Sequence, residues 1–293
     1  MCGRISTGWC SWGGSRCPRA LGAIYQRARR RRTTTPTLRR VAEVLAVANP
    51  KGGVGKTTTT HTLAAALAER GPRTAVVDLD PQACLTYSVG LDPEGLAVTL
   101  HDVLVGRNKV NDALIDVGYL SVVPASIELT STELHLAGRV GREHALAKAI
   151  APLHKRFDIV LVDCPPSLGI LTINALTAAT RVIVPFQCET LGHRGVAQLL
   201  ETVADVRTYT QPDLEVLGVV ATMADRRIRH TQDVLTDVQA RYGLRVLEPL
   251  IPRSVRFAEA PAAGQSVLEH APRSPGAVAY RDLARTVLAH LTA

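Results

Sequence analysis

Short runs of apolar residues alternate with longer amphipathic segments from residue 41 to the end of the chain. The short runs predict strands, and segments whose apolar positions recur at helical spacing predict helices. Apolar strands that are separated by helices are typical of a parallel sheet with helices packed on both faces. The pattern therefore predicts a single doubly wound α/β domain, whose ligands bind at the carboxyl ends of its strands.

The predicted elements follow one another without an internal repeat. Strands are expected at 44–49, 73–80, 120–124, 157–163, 181–185, 214–222 and 245–252. Helices are expected at 56–70, 142–156, 170–179, 190–207, 230–242 and 276–291. Residues 84–119 fit neither pattern.

Residues 1–40 differ in composition from the rest of the chain. They contain ten arginines and no acidic residue, and the apolar pattern begins only at Val41. We expect a disordered basic extension at 1–40 and a folded domain at 41–293. The extension resembles an organellar transit peptide or a basic arm for nucleic acid. The alternative is that translation truly starts further along the chain and that this segment is not native.

The formal net charge of +8 belongs to this extension. Ten of the 34 Lys and Arg residues lie in it, which leaves 24 against 26 Asp and Glu in the rest of the chain. The folded domain is therefore close to neutral. Net charge alone gives no reason to expect that this domain binds nucleic acid.

Signals for membranes, secretion and metals are weak in this sequence. No apolar run approaches the ~18–20 residues that span a bilayer. No apolar segment near the start suits a secretory signal. We therefore expect a soluble cytoplasmic protein. The six cysteines lack C-x2–4-C spacing, so neither a zinc site nor a disulfide framework is expected.

A glycine-rich stretch, NPKGGVGKTT at 49–58, lies between the first predicted strand and the first predicted helix. Gly52, Gly53 and Gly55 let the backbone curl so that several N–H groups point at one anion beside a helix N-terminus. The alternative is a glycine-rich turn with incidental lysines. The preceding strand and the following helix favour a loop that binds nucleotide phosphates.

Two lysines flank these glycines. Lys56 would neutralise the β- and γ-phosphates, and the hydroxyl of Thr57 would ligate Mg²⁺. The ordinary phosphate-loop pattern has glycine at the position of Pro50 and does not require Lys51. The sequence therefore raises the question of what the second lysine does.

Acidic residues end two of the predicted strands. Asp78 and Asp80 end the strand after the phosphate-loop helix, and Asp163 ends the strand IVLVD. A carboxylate at this edge can hold Mg²⁺ through water or orient an attacking water molecule. Each aspartate taken singly could instead cap a helix, but three of them beside a phosphate loop favour the chemical role.

Five stretches carry a resemblance to a known family: PKGGVGKTT, VDLDPQ, VDCPPSLGILTINAL, VPFQCE and IPRSVRFAEAPAAGQS. Between residues 45 and 290 the chain resembles the ParA/Soj-type partition ATPases of the deviant Walker A, or MinD/ParA, superfamily. The resemblance implies Mg²⁺-dependent ATP hydrolysis and an ATP-sandwich homodimer. In that dimer Lys51 reaches the partner's phosphates, while Lys56 serves the nucleotide of its own subunit.

The resemblance also implies roles for individual residues. Lys51, Lys56 and Asp80 are catalytic, with Asp80 positioning the attacking water, and Thr57, Asp78 and Asp163 lie on the Mg²⁺ side. Nucleotide contacts are implied for Asn49, Lys51, Gly52, Gly53, Val54, Gly55, Lys56, Thr57, Thr58 and Pro252. Two positions depart from the family. Pro50 replaces a common glutamine, and Ser254 stands where the family has asparagine near the adenine, so adenine recognition is not carried over.

The family binds DNA without sequence preference as the ATP dimer, and a centromere-binding ParB-like partner stimulates hydrolysis. Arg227 and Arg256 match its DNA-contacting arginines, and Arg226 and Arg229 are expected to help. The alternative is an ordinary solvated basic face. A dimer doubles each contact, so two nearly neutral monomers can still form a basic stripe that binds DNA. The resemblance therefore implies a protein associated with the nucleoid.

Two other classes share parts of these motifs. A MinD-like membrane-cycling ATPase needs a basic amphipathic C-terminal helix. The last seventeen residues, AVAYRDLARTVLAHLTA, contain few basic residues and predict a core-packing helix instead. A redox carrier would need cysteines from both subunits around a cluster. Cys164 follows Asp163 without a second suitably placed cysteine.

Overall fold

The computed structural model describes residues 42–188, 192–225 and 227–292, without the side chains of 192 and 193. The predicted extension at 1–40, Val41 and Arg226 lie outside the described residues.

A single seven-stranded sheet forms the centre of the described part of the chain. Its strands are β1 Glu43–Val47, β2 Thr74–Asp78, β3 Ile115–Val117, β4 Leu120–Val123, β5 Ile159–Asp163, β6 Arg181–Gln187 and β7 Glu215–Thr222. They are arranged in the order β3-β4-β2-β5-β1-β6-β7. The β3–β4 pair is antiparallel, and every other pair of neighbours is parallel.

Helices connect the strands. They are α1 Lys56–Glu69, α2 Cys84–Ser88, α3 Leu100–Val105, α4 Val110–Ala113, α5 Leu129–Ala137, α6 Ala145–Ile150, α7 Ile170–Ala178, α8 Gly192–Tyr209, α9 Arg229–Tyr242, α10 Arg256–Ala262, α11 Val267–His270 and α12 Pro275–Leu291. Short 3₁₀ helices at Arg142–His144 and Ala151–Lys155 flank α6.

The central strand β1 shows how both faces of the sheet are buried. Val44 and Ala46 belong to a core cluster that includes the inner faces of α7 and α8. Leu45 and Val47 belong to a second cluster with α1 and α12. Successive side chains of a strand point to opposite faces, so an apolar run fills both layers. The doubly wound fold predicted from the sequence is confirmed.

The expected strand at 245–252 is not a strand in the structure. It runs beside β7, donating from Leu247 N to Val219 O and from Ile251 N to Ala221 O, each at 2.8 Å. The ladder stays incomplete because Pro249 and Pro252 have no N–H to donate. The backbones of β7 and of this segment approach so closely that a Cβ at Gly218 would lie 2.5 Å from the Arg245 carbonyl oxygen.

The expected helix at 142–156 is also interrupted. It consists of α6 between two 3₁₀ segments, and Pro152 stands at the start of the second segment, where it breaks the helical hydrogen bonding. Residues 84–119, which fit neither pattern, contain α2, α3, α4 and β3. Elements of three to six residues are too short to display a full apolar period.

Candidate active site

The phosphate loop has the backbone that its glycines predict. It joins β1 to α1, and Gly53 and Gly55 have φ angles of 75° and 84°. Both angles lie in the left-handed region, which glycine adopts without a steric penalty. A Cβ built on Gly52 or Gly53 would meet nothing within 4 Å, so the loop has open space beside its backbone. An anion can therefore approach the N–H groups at the start of α1.

Three strands bring the site together. In the sheet Val47 pairs with Asp163, and Asp163 pairs with Asp78. The carboxyl ends of β1, β5 and β2 are therefore level. The phosphate loop that follows β1 and the two aspartates share one edge of the sheet, which is where doubly wound folds bind ligands.

Lys56 is the first residue of α1, and its side chain folds back over the loop. Its Nζ donates a hydrogen bond to the Lys51 carbonyl oxygen at 3.1 Å, and only 7 % of the residue is exposed. Burial lowers the pKa of the Lys56 ammonium, and the nearby charges of Asp163 and Asp80 oppose that shift. A desolvated cation in this position favours an anionic ligand on the loop.

Asn49 fixes the entrance of the loop. Its Nδ2 donates to the Pro185 carbonyl on β6 at 2.8 Å, and its Oδ1 accepts from the Lys51 backbone N–H at 2.9 Å. The Asn49 side chain therefore braces the turn that carries Lys51. Its predicted nucleotide contact stays a prediction, as do those of the buried Val54 and the half-buried Thr57 and Thr58.

Asp163 is completely buried beside α1. Its Oδ1 accepts from the Thr60 hydroxyl at 3.0 Å, whereas its Oδ2 has no hydrogen-bond partner among the described residues. Burial, followed by the charge of Asp78, raises the pKa of this carboxyl, and the hydroxyls of Thr57 and Thr60 oppose the shift. An unsatisfied buried oxygen is costly, so this one calls for a cation or a proton.

Asp78 is equally buried, but unlike Asp163 it already accepts hydrogen bonds at both of its carboxylate oxygens. Thr86 donates to one of them from its backbone N–H at 2.8 Å and from its hydroxyl at 2.7 Å, and the Asp80 N–H lies 3.2 Å from the other. Burial raises the pKa of Asp78, and these bonds oppose the shift. Asp78 thus anchors the loop after β2. Its predicted Mg²⁺ role stays a prediction.

That loop holds Asp80 in a tight turn. Asp80 accepts from the Gln82 N–H through Oδ1 at 2.9 Å, and its carbonyl accepts from the Ala83 N–H at 2.9 Å. Ala83 has φ 52°, a left-handed conformation that is uncommon for a residue with a side chain. Strained backbone of this kind is often found at functional sites. Asp80 is therefore held in a defined position beside Lys56.

Sequence reasoning missed Thr222, the last residue of β7. Its buried hydroxyl donates to the Val54 carbonyl at 2.8 Å, with the Phe186 carbonyl at 3.3 Å as a second acceptor. Its methyl group would lie 3.7 Å from a Cβ on Gly55. Thr222 thus fastens the middle of the phosphate loop to β7. A threonine at the end of an apolar strand gave no signal of this contact.

Pro252 lies at the same edge of the sheet. It follows Ile251, whose N–H donates to Ala221 near the end of β7, and it is half-buried. Ser254, which departs from the family's asparagine, accepts from the Arg256 N–H at 3.2 Å at the start of α10. The nucleotide contact of Pro252 stays a prediction.

Of the candidate DNA arginines, Arg227 lies on the loop after β7, and Arg229 and Arg256 are the first residues of α9 and α10. Arg227 makes three hydrogen bonds to Asp225, and Arg256 makes a 2.6 Å contact with Glu259. Arg229 is exposed as the first residue of α9. Exposed ion pairs of this kind contribute only about 0–1 kcal/mol, so both arginines can exchange their carboxylates for phosphate.

A curled glycine loop, a buried lysine and an unsatisfied carboxylate at the carboxyl edge of a parallel sheet define a phosphate-loop nucleotide-binding protein. A family model described as an AAA domain matches residues 42–216. The sporulation initiation inhibitor protein Soj of Bacillus subtilis is 40% identical over 252 residues, which are 85% of this chain and 100% of Soj. The chromosome partitioning protein ParA of Caulobacter vibrioides is 43% identical over 84% of this chain and 93% of its own length. The chain belongs to the ParA/Soj family of ATPases, as its motifs predict.

Solved structures share the fold of this chain. A Mycobacterium smegmatis structure, titled cobyrinic acid a,c-diamide synthase with bound ATP analog and magnesium, is 50% identical with a TM-score of 0.77. It covers 85% of this chain and 96% of its own. The septum site-determining protein MinD from Pyrococcus horikoshii, complexed with Mg-ADP, is 26% identical with a TM-score of 0.68, over 86% of this chain and 99% of its own.

Proposed function

We propose that this chain is a DNA-partitioning ATPase that dimerises around ATP, binds DNA without sequence preference and is released when a partner stimulates hydrolysis. The observation that carries the proposal is the pair of lysines in one phosphate loop, with Lys56 buried near Asp163 and Lys51 on the preceding turn. The named Soj and ParA relatives support the partition role. The family resemblance also implies a cytoplasmic protein on the nucleoid and a ParB-like partner, and the proposal includes both.

The residues around Asp163 fit a Mg²⁺ ion that accompanies ATP. The free Oδ2 and the nearby Thr57 hydroxyl are oxygen donors of the kind that Mg²⁺ prefers. Mg²⁺ held there would neutralise charge on the phosphates. Within the described residues no group of three or more His, Cys, Asp and Glu side chains could hold a metal. A Mg²⁺ ion that accompanies ATP keeps water and phosphate ligands, so it needs few ligands from the protein.

Different residues of the chain carry out the separate tasks of ATP hydrolysis. The N–H groups of the glycine loop and the Lys56 ammonium hold the phosphates, and the Asp80 carboxylate orients the attacking water. Lys51 of one protomer completes the site of its partner, so hydrolysis follows dimerisation. Asn49, Asp78 and Thr222 position these groups through the bonds described above.

Replacing Thr222 by valine should test the loop clamp. Valine keeps the shape of the side chain but removes the hydroxyl, and leaving a buried carbonyl without its donor costs about 1–3 kcal/mol. We expect affinity for an ATP analogue to fall about tenfold in calorimetry. Thr222→Ser, which restores the hydroxyl, should recover most of that loss. Equal affinity in valine and serine variants would mean that the hydroxyl does not position the loop.

The DNA assignment predicts a change in salt dependence. If Arg227 and Arg256 each contact one phosphate, a two-fold dimer makes four such contacts through this pair. Replacing both by alanine should reduce the slope of log affinity against log salt by roughly 3–4 units, at about 0.9 per phosphate. The loss should be the same for every DNA sequence, because phosphate contacts carry no base information.

Salt titrations by fluorescence anisotropy would measure this slope, in the full chain and in a chain lacking residues 1–40. Arg241→Ala is the matched control, since Arg241 is also exposed and paired with an acid, Asp237, but lies at the end of α9. An unchanged slope in the double variant would make the two arginines a solvated face. Binding that disappears on truncation alone would assign DNA contact to the extension instead.

The MinD-like alternative requires a membrane-binding terminal helix. The apolar face of α12 is already occupied, because Tyr280, Leu283 and Val287 are buried in the cluster that contains α1. In the described residues, no helix is long and apolar enough to cross a membrane. The occupied face of α12 favours the DNA-cycling function over the membrane-cycling one.

The M. smegmatis structure carries the name of a synthase that forms amides. That activity is stated for that protein. The conditions under which this chain hydrolyses ATP would distinguish a partition ATPase from an amide synthase. A partition ATPase hydrolyses ATP with DNA and its partner protein alone, whereas an amide synthase also needs a carboxylic acid and a nitrogen donor. We expect turnover without either of the latter.

A further inference from the structure

A groove separates α3 from the α5–α6 connection, on the opposite face of the sheet from α1 and α12. Its volume is about 340 Å³, it is open to solvent, and Val103, Leu104 and Val140 contribute apolar surface to it. Arg139, Arg142 and Lys148 contribute three cations, and none of its lining residues is acidic. None of them belongs to the candidate active site or to the predicted DNA arginines.

Two of these cations are held in fixed orientations. The Arg139 guanidinium donates to the Leu104 and Val105 carbonyls at the end of α3, at 3.4 and 3.3 Å. Arg142 donates to the Ala137 carbonyl at the end of α5 at 2.7 Å, and its Nε contacts Glu143 at 3.1 Å. Side chains fixed in this way lose less entropy when they bind a ligand.

The third cation and the apolar residue beside it are open to solvent. Lys148 is exposed, and no ion pair or hydrogen bond to it occurs in the described part of the chain. Val140 is fully exposed on the turn between α5 and α6. An apolar centre with charged residues around it is the anatomy of a protein–protein interface.

We propose that this groove binds a segment of another protein in which acidic side chains flank an apolar one. The apolar side chain would pack on Val140 and Leu104, and the carboxylates would pair with Lys148 and the remaining N–H groups of Arg139 and Arg142. Charge complementarity favours an acidic partner. A nucleic acid would satisfy the cations, but its charged backbone would leave Val140 without a contact. The proposal does not depend on the proposed function.

The test uses the full chain and a labelled synthetic peptide of alternating glutamate and leucine. Fluorescence anisotropy at low salt should show saturable binding, and the same peptide with glutamine for glutamate should not bind. Lys148→Glu and Val140→Glu should each weaken binding about tenfold or more. Both side chains are exposed, so neither variant should disturb the fold. Arg273→Glu makes the same charge change at an exposed site before α12 and should bind normally.

Three results would overturn the proposal. The wild-type chain could fail to bind the glutamate peptide, or both groove variants could bind it as tightly as Arg273→Glu does. A DNA duplex could also displace the peptide from the wild-type chain and lose its own affinity in Lys148→Glu, which would make the groove a nucleic-acid site. Hydrogen exchange provides a second measurement, since peptide binding should protect residues 136–149 and leave the phosphate loop unchanged.

Discussion

Lys56→Ala should bind ATP at least about thirtyfold more weakly than the wild-type chain, because removing a buried charged partner costs roughly 2–5 kcal/mol. Lys56 is the desolvated cation that folds back over the loop, and it directly follows Gly55, the last glycine of that loop. Alanine would leave the β- and γ-phosphates without a fixed positive charge. Isothermal calorimetry with a non-hydrolysable analogue would measure the loss.

Lys109→Ala provides the control for this experiment, since it removes an exposed lysine at the start of α4. Circular dichroism should show that the Lys56 variant still folds. If the folded Lys56 variant bound the analogue with wild-type affinity, Lys56 would have no place in the site.

Lys51→Ala should have a different phenotype, with normal ATP binding and turnover reduced by roughly 10³–10⁵, the range for a cation supplied across an interface. The Lys51 backbone is fixed through its N–H to Asn49, so alanine should preserve the loop. Affinity would be measured by calorimetry, and turnover by phosphate release with DNA and the partner protein present.

A mixed dimer would decide which subunit Lys51 serves. Asp80→Ala should bind ATP and dimerise but fail to orient the water in its own site. When Lys51→Ala and Asp80→Ala protomers are mixed, the nucleotide of the Lys51 variant would have its own Asp80 and the partner subunit's Lys51. Activity should therefore reappear on mixing. If mixed dimers form and stay inactive, Lys51 acts within its own subunit.

Much of the fold could be predicted from local sequence. Each of the strands β1, β2, β5 and β6 contains a continuous apolar run, because both faces of the sheet are buried there. Such a run can be recognised without knowing which strands lie beside it. The phosphate loop can be predicted from local sequence for a similar reason. Its glycine conformations and its lysines are encoded within a few successive residues.

The finer organisation of the site depends on contacts that are distant in sequence. Asp78 and Asp163 look alike, since each ends an apolar strand, yet only Asp163 keeps an oxygen without a hydrogen bond. The difference arises because the loop after β2 brings Thr86 close to Asp78, to which it donates two hydrogen bonds. Thr222 reaches Val54 across 168 positions. No periodicity or short motif can report such a contact.

The prolines beside β7 have a consequence for aggregation. Sheets with free outer strands can pair with other chains through unsatisfied N–H and C=O groups. On one side of this sheet the segment 245–251 covers β7, and Pro249 and Pro252 remove donors that a further strand would need. On the other side β3 has only three residues. A protein that follows the proposed cycle of dimerisation and release would thereby be protected from irreversible strand-to-strand polymerisation.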